Sequence, residues 1–159
     1  MHFSRLYFDD AGMFQGTYLL TLDDKGRIAL PAGQREQLSA FCGGAITVTK
    51  NPLDAGCLWI YPRPEWQRVR EQLMTLNSFE DAHRNLQRQL LGSSVDLEPD
   101  SSGRVQLPLS LRELAGLEKR CVLVGLGMKY ELWNEELYRA LSAPLNASML
   151  TSEIRNLRI

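Results

Sequence analysis

Two short turns of nearly the same sequence carry the residues with the clearest potential for binding chemistry. They read Asp23-Asp24-Lys25-Gly26-Arg27 and Asp100-Ser101-Ser102-Gly103-Arg104. An aspartate that begins a tight turn can accept hydrogen bonds from the turn amides, and a glycine near its end tolerates a positive φ angle. The arginine that leaves each turn can bind a phosphate or a guanine edge through its planar fork. It can also pair with the aspartate and stiffen the hairpin, and the sequence leaves both roles open.

Three further cations accompany these turns. Lys25 stands at the tip of the first turn, where its ammonium can contact a phosphate, whereas the second turn has serines there. We therefore expect the first turn to attract a polyanion more strongly than the second. Arg35 and Arg112 follow the turns on predicted helices. We expect their stems to pack on the fold and their guanidinium groups to pair with a neighbouring glutamate rather than with DNA.

The two turns belong to an internal repeat. Segments 23–36 and 100–113 share seven identities in fourteen positions, where average residue frequencies give roughly one. Each copy predicts the order ββαββ, in which the turn joins the first two strands and Pro31 or Pro108 precedes the helix.

The returning strand of each copy should sort its side chains by alternation. Ile28 and Val105 are expected to point into the core, and Arg27 and Arg104, one residue earlier, are expected to face solvent together. One copy of about 45 residues is too small to bury a stable core, so we expect the copies to exchange hairpins. The predicted fold class is α+β, with two pseudo-symmetric βαβ repeats forming a swapped-hairpin (double-split) β-barrel with flanking helices.

Two helices are predicted between the copies. Pro62 and Pro64 open the first helix. Ser78 with Asp81 resembles a capping box that begins the second, and Gly92 is expected to end it.

The net charge does not by itself indicate a nucleic-acid partner. Eighteen lysines and arginines stand against nineteen aspartates and glutamates, so a surface that binds a polyanion must gather its cations on one face. The apolar runs are shorter than the roughly 20 residues that span a bilayer. Three cysteines without a Cys-x-x-Cys pair predict buried thiols in a reducing cytoplasm.

No spacing in the sequence predicts a catalytic or metal site. His83 has no Gly-x-Ser-x-Gly elbow to accompany it, and no group of histidines, cysteines and carboxylates has metal-ligand spacing. We therefore expect neither an enzyme nor a cofactor. The tryptophans, Trp59, Trp66 and Trp133, are expected in the core rather than stacked on bases.

The order of the motifs resembles the MraZ family, whose members share the swapped-hairpin barrel of AbrB-type transition regulators. The resemblance covers Met13 to about Leu141. It rests on Met-Phe-x-Gly at 13–16, Leu-Asp-x-Lys-Gly-Arg-x-x-x-Pro at 22–31, Tyr-Pro-x-Pro-Glu-Trp at 61–66, Leu-x-Arg-x-Leu-Leu-Gly at 86–92 and Lys-Tyr-Glu-Leu-Trp at 129–133. It implies an N-terminal extension at 1–12, a first repeat at 13–61, linking helices at 62–92, a second repeat at 93–141 and a C-terminal tail at 142–159.

The resemblance also implies a function. It assigns contact with double-stranded DNA to the two Asp-x-x-x-Arg turns, at Asp23, Lys25, Gly26, Arg27, Asp100, Gly103 and Arg104. It implies a cytoplasmic, nucleoid-associated regulator that forms a ring-like homo-oligomer on tandem promoter repeats of its own division and cell-wall operon. The alternative is a protein-interaction module like the AbrB-type antitoxins, in which the tail would bind a partner.

Overall fold

A computed structural model describes residues 14–141 and 143–159, so the predicted extension and Met13 lie outside the described residues. The strands are β1 (Phe14–Thr21), β2 (Arg27–Ala29), β3 (Ile46–Lys50), β4 (Cys57–Pro62), β5 (Val95–Leu97), β6 (Arg104–Gln106), β7 (Arg120–Gly127) and β8 (Tyr130–Asn134). The helices are α1 (Ala32–Cys42), α2 (Arg63–Met74), α3 (Asp81–Leu90), α4 (Leu109–Leu114), α5 (Glu135–Arg139) and α6 (Ser152–Arg155), with a 3-10 turn at Ala147–Met149. Each copy therefore shows the predicted order ββαββ.

The first strand of each copy pairs with the third strand of the other copy. β1 lies antiparallel to β7 from Phe14 opposite Gly127 to Thr21 opposite Arg120, and β5 lies antiparallel to β3. The second strands β2 and β6 pair with each other, and so do the fourth strands β4 and β8. Neither copy can therefore complete its sheet without strands from the other.

The hydrogen-bonded strands form two sheets rather than one closed barrel. Within the described residues, six strands follow the order β1-β7-β8-β4-β3-β5, and β2 and β6 make a separate two-stranded sheet. The α+β class is confirmed. The predicted swapped-hairpin (double-split) barrel is not confirmed, because β2 and β6 pair only with each other and leave β1 and β5 as the edges of the larger sheet.

The two exchanged hairpins differ in length. β1 has eight residues and β5 has three. Pro99 follows β5 after one intervening residue, and proline cannot donate to a ladder, which fits the early end of this strand. The second hairpin therefore pairs less extensively with the sheet than the first.

One apolar core fills the space between the sheets and the helices α1 and α4. It includes Ile28, Val105, Leu123 and Leu132, all with 1% exposure or less. Ile28 and Val105 face each other in the β2–β6 ladder, so the side chains next to the predicted functional arginines anchor both hairpins in the core.

A buried polar network crosses this core and joins the copies. The hydroxyl of Tyr130 donates to Gln34 Oε1 at 2.6 Å, and Gln34 Nε2 donates to the Tyr18 hydroxyl at 2.8 Å. Tyr18 in turn donates to the backbone oxygen of Gln15. Each side-chain group thus has a partner, as buried polar groups require.

The linking helices differ from prediction at their ends. α2 begins after Pro62 as expected, but α3 begins at Asp81 after Glu80, and no side chain caps it. The capping box predicted at Ser78 is therefore wrong. Arg84 instead donates to the backbone oxygen of Ser78 and pairs with Asp81.

The cysteines and tryptophans follow prediction closely. Cys57 and Cys121 are buried free thiols, and Cys42 is half-buried. Burial raises the pKa of the Cys57 thiol to about 12 and that of Cys121 to about 11. Trp66 and Trp133 are buried, while Trp59 is half-buried beneath the ammonium of Lys129, which lies 3.4 Å from the ring centre. None of the tryptophans is thus presented as an open stacking platform.

Truncation of Ile28 should test the anchoring of the hairpins. We expect Ile28→Ala to lower the free energy of unfolding by about 2–5 kcal/mol, because it removes packed methyl groups and leaves a cavity. Leu53→Ala is the matched control, since Leu53 is 82% exposed, and it should change the free energy by less than about 0.5 kcal/mol. Urea unfolding followed by tryptophan fluorescence measures both values. Equal effects of the two substitutions would contradict the anchoring role.

Candidate nucleic-acid interface

Asp23 organises the first turn through its side chain. Its Oδ1 accepts hydrogen bonds from the amides of Lys25 and Arg27, both at 2.9 Å. Its Oδ2 accepts from Arg27 Nε at 2.8 Å. The backbone closes the turn, since Gly26 donates to the Asp23 oxygen and Asp23 donates to the Arg27 oxygen. One carboxylate therefore fixes both the turn and the arginine that leaves it.

The second turn repeats this arrangement. Asp100 Oδ1 accepts from the amides of Ser102 and Arg104 at 2.8 and 3.0 Å. Its Oδ2 accepts from Arg104 Nε at 3.2 Å. Gly103 has a φ angle of +76°, close to the +78° of Gly26, which explains why both turns require glycine at this place. The repeat is thus preserved at the level of individual hydrogen bonds.

Hydrogen bonding also changes the acidity of both aspartates. The bond from the Arg27 amide, with help from its side chain, holds the pKa of Asp23 below its usual value. The bond from the Arg104 amide does the same for Asp100. Both carboxylates are therefore ionised at neutral pH and leave their arginines charged and oriented.

The β2–β6 ladder places the two arginines on one face. Arg27 lies opposite Gln106, and Ala29 lies opposite Arg104. Side chains alternate across a strand, so Arg27, Ala29, Arg104 and Gln106 share the face turned away from buried Ile28 and Val105. The predicted orientation is confirmed: both arginines point out of the core on the same side of one ladder.

Arg27 and Arg104 each pair with an aspartate and also point away from the core. The Arg27 side chain is 24% exposed and the Arg104 side chain is 38% exposed. In each pair the arginine contacts the aspartate through Nε, so the terminal nitrogens of the guanidinium group can still donate to a ligand. A guanidinium held in this way has lost freedom before binding and is pre-organised for a phosphate or a base edge.

The first turn carries a feature that the second lacks. Lys25 is exposed at its tip, and its backbone oxygen accepts from Gln106 Nε2 at 2.6 Å. This bond ties the tip of the first turn to β6 of the other copy. The sequence predicted the position of Lys25 correctly but not its bond with Gln106. The residues around Gln106 in the chain carry no signal that its side chain will bond across the ladder.

Arg35 and Arg112 do not make the predicted pairs with glutamate. Arg35 Nη1 donates to the backbone oxygen of Ser102 at 3.1 Å, and Arg112 Nε donates to that of Leu107 at 3.0 Å. Among the ion pairs of the described residues neither arginine has an acidic partner. The prediction that their side chains pack on the fold is correct, but the hydrogen-bond partners are backbone oxygens. Ser102 lies in the turn of the other copy, whereas Leu107 directly follows β6 in the same copy as Arg112.

Two other kinds of site are absent from the described part of the chain. It contains no group of three or more histidines, cysteines and carboxylates that could hold a metal ion. None of its helices has the length and apolar character of a membrane span.

The lowered pKa values of Asp23 and Asp100 should make the folded protein less stable at acidic pH. A carboxyl whose pKa is lowered by folding stabilises the fold above its ordinary pKa, and that stability disappears as the pH falls through the lowered value. We expect the unfolding temperature to fall as the pH drops below about 4, and to fall less in the Asp23→Asn, Asp100→Asn variant. Asparagine keeps the amide-accepting oxygen but has no charge to titrate.

Circular dichroism melts between neutral and acidic pH measure this difference. Asp24→Asn is the control, since Asp24 is exposed and makes no hydrogen bond or ion pair among the described residues. Parallel pH curves for the native protein and the double variant would contradict the prediction.

Comparison with known families agrees with the repeat. The sequence model of the family described as "MraZ protein, putative antitoxin-like" matches residues 13–89 and again residues 90–157. A protein named "Transcriptional regulator MraZ" from Xanthomonas oryzae pv. oryzae is 43% identical over 148 residues, covering 92% of this chain and 100% of the relative. A protein of the same name from Marinobacter nauticus is 46% identical over 127 residues, covering 80% and 85%.

Among solved structures, one from Pyrococcus horikoshii is similar to 76% of this chain and 88% of its own length, at 16% identity and a TM-score of 0.34. That likeness is too weak to carry an argument. The two family matches and the near full-length relatives are decisive, and they show that the chain belongs to the MraZ family.

Proposed function

We propose that this protein is a transcriptional regulator that reads double-stranded DNA with its two Asp-x-x-x-Arg turns. The observation that supports this most is the geometry of Arg27 and Arg104. Both are held by an aspartate, both keep terminal nitrogens available, and both lie on one face of the β2–β6 ladder. The names of the relatives, all transcriptional regulators, point to the same role.

The chemistry of the two turns suits duplex DNA. An arginine fork can donate two parallel hydrogen bonds to O6 and N7 of a guanine in the major groove, or clamp a phosphate. Lys25 at the exposed tip adds a phosphate contact next to Arg27. The glycines supply the positive φ angle that each turn requires. In this proposal Asp23 and Asp100 orient the arginines and do not touch the DNA.

The small number of cations in the turns favours repeated binding. One chain with a formal net charge of −1 makes few phosphate contacts, so a single copy should bind DNA weakly. A homo-oligomer that places several pairs of turns on tandem promoter repeats would add these contacts through effective concentration. We therefore propose a ring-like assembly acting in the nucleoid on the promoter of the division and cell-wall operon. The exchanged hairpins would then form a split barrel that presents both turns together.

The decisive experiment compares DNA binding by the native protein and by the Arg27→Ala, Arg104→Ala variant. The probe is the duplex directly upstream of the protein's own coding region, with a scrambled duplex of equal length beside it. We expect the variant to lose at least about 30-fold in affinity for the upstream duplex, since each guanine contact contributes about 1–3 kcal/mol. Fluorescence anisotropy at several salt concentrations measures the affinity and its salt slope.

Arg88→Ala is the matched control, because it removes one exposed arginine from α3 and leaves both turns intact. It should retain specific binding. Size-exclusion chromatography with light scattering must show equal mass for all proteins, so that loss of assembly is not mistaken for loss of contact. Equal weak binding by the native protein and the double variant would refute the proposal and direct attention to the exposed tail as a protein-binding segment.

A further inference from the structure

Gly26 and Gly103 are buried although they lie in surface turns. The groups that cover them are arginine side chains, and each arginine comes from the helix of the other copy. Arg112 on α4 covers Gly26, and Arg35 on α1 covers Gly103. The same contact therefore occurs twice, once in each turn.

Arg112 lies against the inner side of the first turn. A Cβ atom added at Gly26 would stand 2.5 Å from Arg112 Cζ and 2.8 Å from Nε, so the guanidinium plane packs directly on this glycine. Arg112 Nε is fixed by its bond to the Leu107 oxygen. The Leu107 amide in turn donates to the Gly26 oxygen at 2.9 Å. The arginine, the β6 end and the turn form one connected unit.

Arg35 occupies the matching place behind the second turn. A Cβ atom added at Gly103 would stand 2.5 Å from Arg35 Cδ and 2.7 Å from Cζ. Arg35 Nη1 donates to the Ser102 oxygen at 3.1 Å. The glycine requirement at both turns thus has two causes, the positive φ angle and the arginine that packs where a side chain would be.

We propose that Arg35 and Arg112 are positioning residues, each of which holds the DNA-reading turn of the opposite repeat. This inference rests on the proposed function for its effect on DNA, but the positioning itself does not. Arg35 acts on the turn that presents Arg104, and Arg112 acts on the turn that presents Arg27. Neither positioning arginine needs to touch DNA.

The two turns depend on these arginines to different degrees. The first turn receives two further hydrogen bonds from outside, from Gln106 Nε2 to the Lys25 oxygen and from the Leu107 amide to the Gly26 oxygen. Apart from the pairing of Arg104 with Ala29 in the ladder, the second turn receives one such bond among the described residues, from Arg35 Nη1. An open cleft of about 570 Å³ lies beside it, lined by residues of α1 and of the turn. Loss of Arg35 should therefore disturb its turn more than loss of Arg112.

Amide spectra of the free protein test the positioning without DNA. In ¹⁵N correlation spectra, Arg35→Ala should shift the amides of Gly103 and Arg104 and leave those of Gly26 and Arg27 near their native positions. Arg112→Ala should give the opposite pattern with smaller shifts. Arg88→Ala should move neither pair. Shifts confined to the turn of the arginine's own repeat, or equal at both turns, would overturn the inference.

DNA binding tests the consequence through double-variant cycles. Arg35→Ala alone should weaken binding to the upstream duplex by about tenfold. When Arg104 is already alanine, the same change should weaken binding by less than about twofold, because both substitutions disable the second turn and its contact is already lost. In the Arg27→Ala background it should again cost about tenfold. Equal losses in both backgrounds would overturn the crosswise assignment. If alanine at 27 and 104 leaves binding unchanged, the proposed function fails, while the amide pattern still decides the positioning.

Arg35→Lys keeps the test possible if Arg35→Ala does not fold. Lysine can still donate to the Ser102 oxygen but cannot cover Gly103 with a plane. We expect shifts at Gly103 and Arg104 that are smaller than those of alanine, and a loss of affinity between native and about tenfold. Native spectra and native affinity for Arg35→Lys would show that only the charge matters and would overturn the packing argument.

Discussion

The three-residue ladder between β2 and β6 is the contact on which the rest of the structure depends. It places buried Ile28 against Val105 on its inner side and the half-buried Arg27 and Arg104 on its outer side. A ladder this short is too small to be stable alone. It persists because the core fixes its inner face and because each hairpin also pairs with the other copy's sheet. The position of the candidate interface is thus a consequence of core packing.

A single carboxylate in each turn holds the guanidinium group of the arginine in a defined orientation. Asp23 and Asp100 satisfy the turn amides and the Nε of the arginine at the same time. An ion pair between such exposed groups contributes little to stability by itself. The ion pair instead orders the long arginine side chain. The conformational entropy of that side chain is lost on folding and need not be lost again on binding.

The sequence predicted the features that the repeat duplicates and the features that depend on neighbouring residues in the chain. The duplicated turn signal identified Asp23, Gly26 and Arg27 with their counterparts, and alternation placed Ile28 and Arg27 on opposite faces. It could not reveal that β2 and β6 stand apart from the six-stranded sheet, because closure depends on distances between strands remote in the chain. It also assigned Arg35 and Arg112 to neighbouring glutamates, whereas Arg35 donates to a backbone oxygen of the other copy and Arg112 to one of its own copy.

Because the hairpins are exchanged, each repeat contributes side chains to the turn of the other repeat. The chain segment that contains the first turn, at 23–36, also contains Arg35, which packs against the second turn. Each turn is therefore assembled from both copies, with its aspartate and arginine from one and its covering guanidinium from the other. Duplication alone would give two independent sites, but exchange makes each copy necessary to both. A substitution in either copy can then alter the geometry of the distant turn while its own turn stays intact.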